Sequence, residues 1–196
     1  MACLVAAVGA GCGATGAQSD LSTGVNRLDP KLLVLSPSDV GAGYALNGPA
    51  THPIPLQQTI PPIGRRMRRE YVAGYAAGYP ATSANQWPLG IWCVAQVYET
   101  NLGGWYATAA IRYSHNYPRP QLPVPQDAPG IPLALAVNPR ANLGGYTVKL
   151  VVYLWVEGRV SSAVTVSGRP GDSTKHLVAA AIQLARIQDT KIRMAS

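Results

Sequence analysis

The chain has 196 residues, of which 47% are hydrophobic, and a formal net charge of +7. This is enough chain for one domain with a sizeable core. Its 20 glycines and 17 prolines follow no period, which excludes a collagen-like or fully disordered chain. Four cationic residues are concentrated in the run RRMRR at positions 65–69, so the remainder is only mildly basic. Nucleic-acid-binding proteins usually spread basic residues over a face and interleave aromatic residues, so we expect no nucleic-acid partner.

The amino-terminal stretch has the pattern of a bacterial lipoprotein signal. An apolar run leads to the small residues 9–11 and then to Cys12; small residues there let the signal peptidase bind an extended backbone. Residues 13–28 are small and polar, as expected of a tether. The apolar run is short and no basic residue precedes Arg27, which a start codon placed too far downstream would explain. We expect a signal peptide over 1–12, a lipid on Cys12 and an extracytoplasmic, membrane-anchored domain over 29–196; cleavage elsewhere with secretion is the alternative.

The same stretch also satisfies the G-x-G-x-x-G fingerprint of dinucleotide-binding loops. Gly11, Gly13 and Gly16 follow an apolar run, and Asp39 lies some twenty residues further on. That motif requires a helix that begins at the glycines and packs on a sheet, and residues 17–30 show no apolar helical stripe. A nucleotide-dependent enzyme is therefore kept only as an alternative.

The segment REYVAGYAAGYP places Tyr71, Tyr75 and Tyr79 four residues apart. Gly74 and Gly78 would each cost a helix about 1 kcal/mol relative to alanine, so we favour a strand. A strand puts the three tyrosines on one face. Such a stripe serves either as a stacking platform or as the edge of a core.

In the middle of the chain, residues 91–99 predict a strand, and an Ala-rich helix is expected after the first of two N-L-G-G segments, at 101–104. Residues 116–132 are proline-rich and predict a surface excursion. The second N-L-G-G, at 142–145, introduces a long apolar run. We expect both tetrapeptides to supply backbone freedom for a turn and to carry no chemistry.

The carboxyl-terminal third has the clearest pattern. Residues 146–156 and 159–167 read as two strands joined by a tight turn, and residues 174–194 read as a helix with a capping serine before it. The helix carries an apolar stripe that would cover the hairpin. The expected fold class is α+β, with an antiparallel sheet, a C-terminal β-hairpin and a packed C-terminal helix.

No motif for catalysis or metal binding is present. The three histidines are isolated, and neither a metal-binding spacing nor a nucleophile motif occurs. Cys93 lies in an apolar, strand-like run and is expected to be a small buried side chain. We therefore expect a protein that is not an enzyme and holds no metal and no cofactor.

Four stretches resemble one group of proteins. They are LSPSDVGAGY at 35–44, REYVAGY at 69–75, VVYLWVEGRV at 151–160 and LARIQDTKI at 184–192. They are similar to motifs of exported bacterial proteins of unassigned role, including lipoproteins and the extracellular sensor domains of actinobacterial receptor kinases. The paired cysteines of those sensor domains are absent, and LWVEG replaces their usual Phe-Arg. The resemblance covers most of residues 31–194 and implies an α+β domain displayed outside the cytoplasmic membrane, with no catalytic residues to transfer.

From aromatic and basic clustering we expect the domain to bind a small molecule or an envelope protein partner in one cleft, with arginines offering an anion contact at its edge. A structural or adhesion module with no pocket is the other alternative. The residues predicted to line the cleft are Tyr71, Tyr75, Tyr79, Trp92, Trp105, Arg65, Arg66, Arg68 and Arg69.

Overall fold

The computed structural model describes residues 28–56, 65–113 and 121–196, with the backbone alone at 65–67 and 111–113. The predicted signal peptide, Cys12 and nearly all of the tether therefore lie outside the described residues. The elements, in chain order, are α1 (Pro30–Leu33), α2 (Pro37–Val40), a 3-10 turn (Gly48–Ala50), β1 (His52–Pro53), α3 (Arg65–Glu70), β2 (Tyr71–Pro80), β3 (Gly90–Tyr98), α4 (Asn101–Tyr113), β4 (Gln121–Leu122), β5 (Ile131–Leu143), β6 (Tyr146–Glu157), β7 (Val160–Gly168) and α5 (Thr174–Ala195).

The seven strands form one sheet in the order β1-β2-β3-β7-β6-β5-β4. Every pair in it is antiparallel. The C-terminal hairpin β6–β7 lies at its centre, and β7 joins the hairpin to β3. The predicted α+β class, hairpin and C-terminal helix are confirmed. The sheet contains no parallel pair of the kind that a dinucleotide-binding βαβ unit requires. The candidate Gly-rich loop at residues 11–16 itself lies outside the described part of the chain.

The two faces of the sheet are covered by different helices. On the α5 face, alternate residues of the central strands, such as Cys93, Val164 and Tyr153, pack in one core with Leu177 of α5. On the α4 face, Thr108 of α4 donates a hydrogen bond to the Ser161 hydroxyl or accepts one from it, at 2.7 Å. Side chains alternate between faces along a strand, so each strand contributes to both.

The two N-L-G-G segments have different structural roles. In the second, Gly144 and Gly145 have φ values of 58° and 88° and form the tight turn between β5 and β6, as expected for a two-residue hairpin loop. The first lies inside α4, so the predicted turn there is wrong. Gly104 instead allows close approach, because a Cβ on it would lie 3.0 Å from the backbone carbon of Arg159.

Strand β5 was not predicted. It begins in the proline-rich stretch and is interrupted by a register shift between Asn138 and Ala141. Two prolines and the bulge interrupt the alternation of apolar and polar residues that would predict a strand. The strand is stabilised by its pairing with β6.

Candidate functional site

The three tyrosines of β2 do not share a face. Tyr71 pairs with Tyr98 and Ala73 pairs with Val97, so β2 has one extra residue at this point. The bulge turns Tyr71 to the α4 face, where its ring meets that of Tyr98 edge-on at a centroid distance of 5.7 Å. The expectation of one tyrosine face is therefore wrong, because a bulge reverses the side-chain alternation.

Tyr75 and Tyr79 lie on the α5 face. Tyr79 is fully buried, and its hydroxyl donates a 2.6 Å hydrogen bond to the Leu35 carbonyl oxygen. Burial raises the pKa of Tyr79 to about 12. Tyr75 is partly buried and packs against the same core. The Tyr79 hydroxyl thus ties the segment before β1 to the sheet.

Cys93 is buried beneath the same core, with its thiol directed at the Ala77 carbonyl oxygen at 3.6 Å. Burial raises its pKa to about 12, so very little reactive thiolate forms near neutral pH. The prediction of a small buried side chain is confirmed.

Trp92 lies on the α4 face and covers two glycines: Gly78, its pairing partner in β2, and Gly90, two residues earlier in β3. A Cβ on Gly90 would lie 2.6 Å from the Trp92 ring, and one on Gly78 would lie 2.9 Å from it and 2.6 Å from Ala50. The ring therefore lies flat on the sheet where glycine leaves room for it. It is only partly buried.

A partly exposed apolar surface extends from this ring across the centre of the sheet. Trp92 pairs with Thr165, and Thr165 pairs with Val152, so their side chains form one row on the α4 face. Val94 and Ala163 form the next row. All five are partly exposed, and we call them the Trp92 surface. Between Trp92 and Val152 lies Thr165, whose side chain is small.

Trp105 is on the outward side of α4. It is 41% exposed and meets the ring of Tyr106 edge-on at 5.2 Å. Arg68 and Arg69 are exposed on α3. The helix that bears Arg65 and Arg66 is described, but the side chains of these two residues are not.

The structure therefore distributes the predicted cleft over three places. Tyr75 and Tyr79 belong to the α5 face, Tyr71 and Trp92 to the α4 face, and Trp105 to the solvent side of α4. In the described part of the chain these rings do not converge on a common cleft. The sequence identified the aromatic residues, but no sequence pattern indicated the bulge in β2 or the side of α4 on which Trp105 lies.

A cleft of about 290 Å³ is present elsewhere, at the end of the sheet where α4 begins and α5 ends. It is lined by Leu28, Asn101, Gly158, Arg159, Ala195 and Ser196. Its lining is mixed polar and apolar, and it brings together the first described residue, the β6–β7 turn and the two helices.

Polar side chains of β6, of the segment before the sheet and of α5 itself hold α5 in place. The Trp155 indole donates a 3.0 Å hydrogen bond to buried Asp189, whose other oxygen accepts a 2.7 Å bond from Arg193. Asp39 accepts a bond from the Ser36 backbone at 2.7 Å and forms an ion pair with Lys191. Burial alone would raise the pKa of Asp39, but the bonds from Lys191 and Ser36 outweigh it and leave that pKa lowered. These residues have structural roles.

Within the three described stretches, no group of His, Cys, Asp or Glu side chains is arranged to hold a metal ion. No helix there is long and apolar enough to cross a membrane. No protein-family model matches the chain, and no curated protein matches it significantly.

Proposed function

We propose that the protein is an exported bacterial envelope protein, anchored by a lipid on Cys12, whose α+β domain binds a small ligand or an envelope partner without chemistry. The observation that carries the binding role is the Trp92 surface. An aromatic ring with neighbouring apolar side chains that stay partly exposed on one sheet face can serve as a contact site. The anchoring role is supported by the sequence pattern around Cys12.

The ligand class follows from the composition of this surface. Trp92, Val94 and Val152 offer apolar contact, and Thr165 offers a hydroxyl within the same row. Aromatic rings bind flat apolar or aromatic groups through their faces. We therefore propose a ligand with a planar or aliphatic apolar moiety, and a contact that uses no charged group of the sheet.

Binding is tested with the fluorescent probe 1-anilinonaphthalene-8-sulfonate at pH 7. Saturable binding to the folded protein is expected, with about tenfold weaker affinity in Trp92→Ala, where the ring contact is lost. Thr165→Arg is the second variant, because it places a large charged side chain between Trp92 and Val152 without leaving a cavity. Trp87→Ala is the matched control, since Trp87 is 38% exposed and lies outside the surface. Equal binding by all four proteins would contradict the assignment.

Anchoring is tested by expressing the full chain in a bacterium and measuring intact mass after membrane fractionation. A diacylglycerol adduct on Cys12 and membrane association are expected, and both are lost in Cys12→Ser. A cytoplasmic protein that retains its first residues unmodified would contradict export.

A further inference from the structure

Over residues 101–110, where its side chains are described, helix α4 is packed in the opposite sense from an ordinary amphipathic helix. Its small residues Gly103, Gly104, Ala107 and Thr108 are buried against the sheet. Its large apolar residues Leu102, Trp105 and Tyr106 point outward and are 47%, 41% and 44% exposed. Their i, i+3, i+4 spacing puts them on one side of the helix. We call these three residues the α4 patch.

Exposed cations lie on the short helix that packs against α4. Helix α3 packs on α4, with the Glu70 carboxylate accepting a 2.6 Å hydrogen bond from the Thr100 hydroxyl at the start of α4. Arg68 and Arg69, in the same short helix as Glu70, are exposed. An apolar patch with tryptophan, tyrosine and neighbouring arginines is the composition of protein segments that lie in a membrane interface.

The chain enters the domain at the same end of the molecule. Leu28 lines the cleft together with Asn101, the first residue of α4. Only residues 13–27 separate Leu28 from Cys12, and even a fully extended chain of that length spans no more than about 55 Å. A lipid on Cys12 would therefore keep this end of the domain within about 55 Å of the bilayer, where the α4 patch can reach it.

We propose that the α4 patch, with Arg68 and Arg69, docks on the surface of an anionic lipid bilayer and orients the domain on it. The inference rests on the lipid anchor proposed for Cys12. Aromatic rings enter the headgroup region, and each arginine near an anionic surface adds attraction that falls with salt. In this orientation the β5–β6 turn, at the other end of the sheet, points away from the membrane.

The test uses the full chain carrying Cys12→Ser, so that no lipid contributes. Flotation with phosphatidylcholine vesicles, with and without phosphatidylglycerol, measures binding. We expect binding to the anionic vesicles that weakens with salt and falls about tenfold in Trp105→Ala/Tyr106→Ala. Arg68→Glu/Arg69→Glu should lower it by a similar factor, also about tenfold. Tyr146→Ala is the matched control, because Tyr146 is 77% exposed at the opposite end of β6.

Three results would overturn the docking proposal. One is the absence of binding to any vesicle; another is binding that all variants share, which would place the contact in the amino-terminal residues common to them. The third is concentration-dependent self-association, measured by sedimentation, that is lost in the Trp105 variant, since the patch would then contact a second copy. The mass of wild-type Cys12 tests the anchor independently, so failure of one proposal is distinguishable from failure of the other.

Discussion

Helices α4 and α5 cover opposite faces of one sheet and bury opposite kinds of residue. Helix α5 buries large apolar side chains such as Leu177 and Ile192, together with the polar residues Gln188 and Asp189. Helix α4, over residues 101–110, buries glycine, alanine and threonine and exposes its large apolar residues. The difference indicates that α5 stabilises the fold mainly through burial of large side chains, whereas α4 packs closely on the sheet through small ones.

The largest expected effect is a difference in stability loss between two leucine-to-alanine substitutions, one on each helix. Leu177→Ala, in the core under α5, is expected to lower the free energy of unfolding by about 3 kcal/mol, because it removes buried contacts and leaves a cavity. Leu102→Ala is the matched substitution on α4, where the side chain is 47% exposed, and should change it by less than about 0.5 kcal/mol. Urea unfolding followed by circular dichroism measures both. Similar losses at the two sites would remove the contrast between the helices.

The next effect tests the close approach of α4. Gly104→Ala raises helix propensity by about 1 kcal/mol, but its Cβ would lie 3.0 Å from the backbone carbon and 3.1 Å from the carbonyl oxygen of Arg159. Backbone cannot move aside cheaply, and overpacking costs about 1–3 kcal/mol. We expect a net loss of about 1 kcal/mol by the same measurement.

Gly171→Ala is the control for that substitution, because Gly171 has no positive φ and a Cβ on it would meet nothing within 4 Å. Its stability should stay the same or rise by up to about 0.5 kcal/mol. A stabilised Gly104→Ala protein would show that α4 is not held against the sheet by its small residues.

The α5 side was more predictable from the sequence than the α4 side. The strands β6 and β7 and helix α5 each follow their own period over many residues, so local pattern was sufficient. The capping serine before α5 was also correctly located, since the Ser173 side chain accepts a bond from the His176 backbone.

Features of the α4 face depend on contacts between distant segments. The neighbouring sequence does not indicate the bulge that turns Tyr71. The Gly-Gly of α4 is typical of a turn in sequence, and its role in close packing depends on the distant residue Arg159. The candidate site was therefore found as a set of residue types but not as an arrangement, because the arrangement depends on which face each ring occupies.

The smallest effect concerns the charged contact that ties α5 to the segment before the sheet. Hydrogen bonds from Lys191 and Ser36 lower the pKa of Asp39 in the folded protein. A carboxyl with a lowered pKa stabilises the fold above its ordinary pKa, and this contribution disappears as the pH falls through the folded value. Lys191→Met should therefore lower the free energy of unfolding by up to about 1 kcal/mol at pH 7, and the difference from wild type should shrink below about pH 4.

Arg186→Met is the control, since the Arg186–Asp127 pair on the same helix is 48% and 72% exposed. A pair so exposed contributes little to stability. Equal costs for the two variants at pH 7 would mean that partial burial gives the Lys191 pair no advantage over an exposed ion pair.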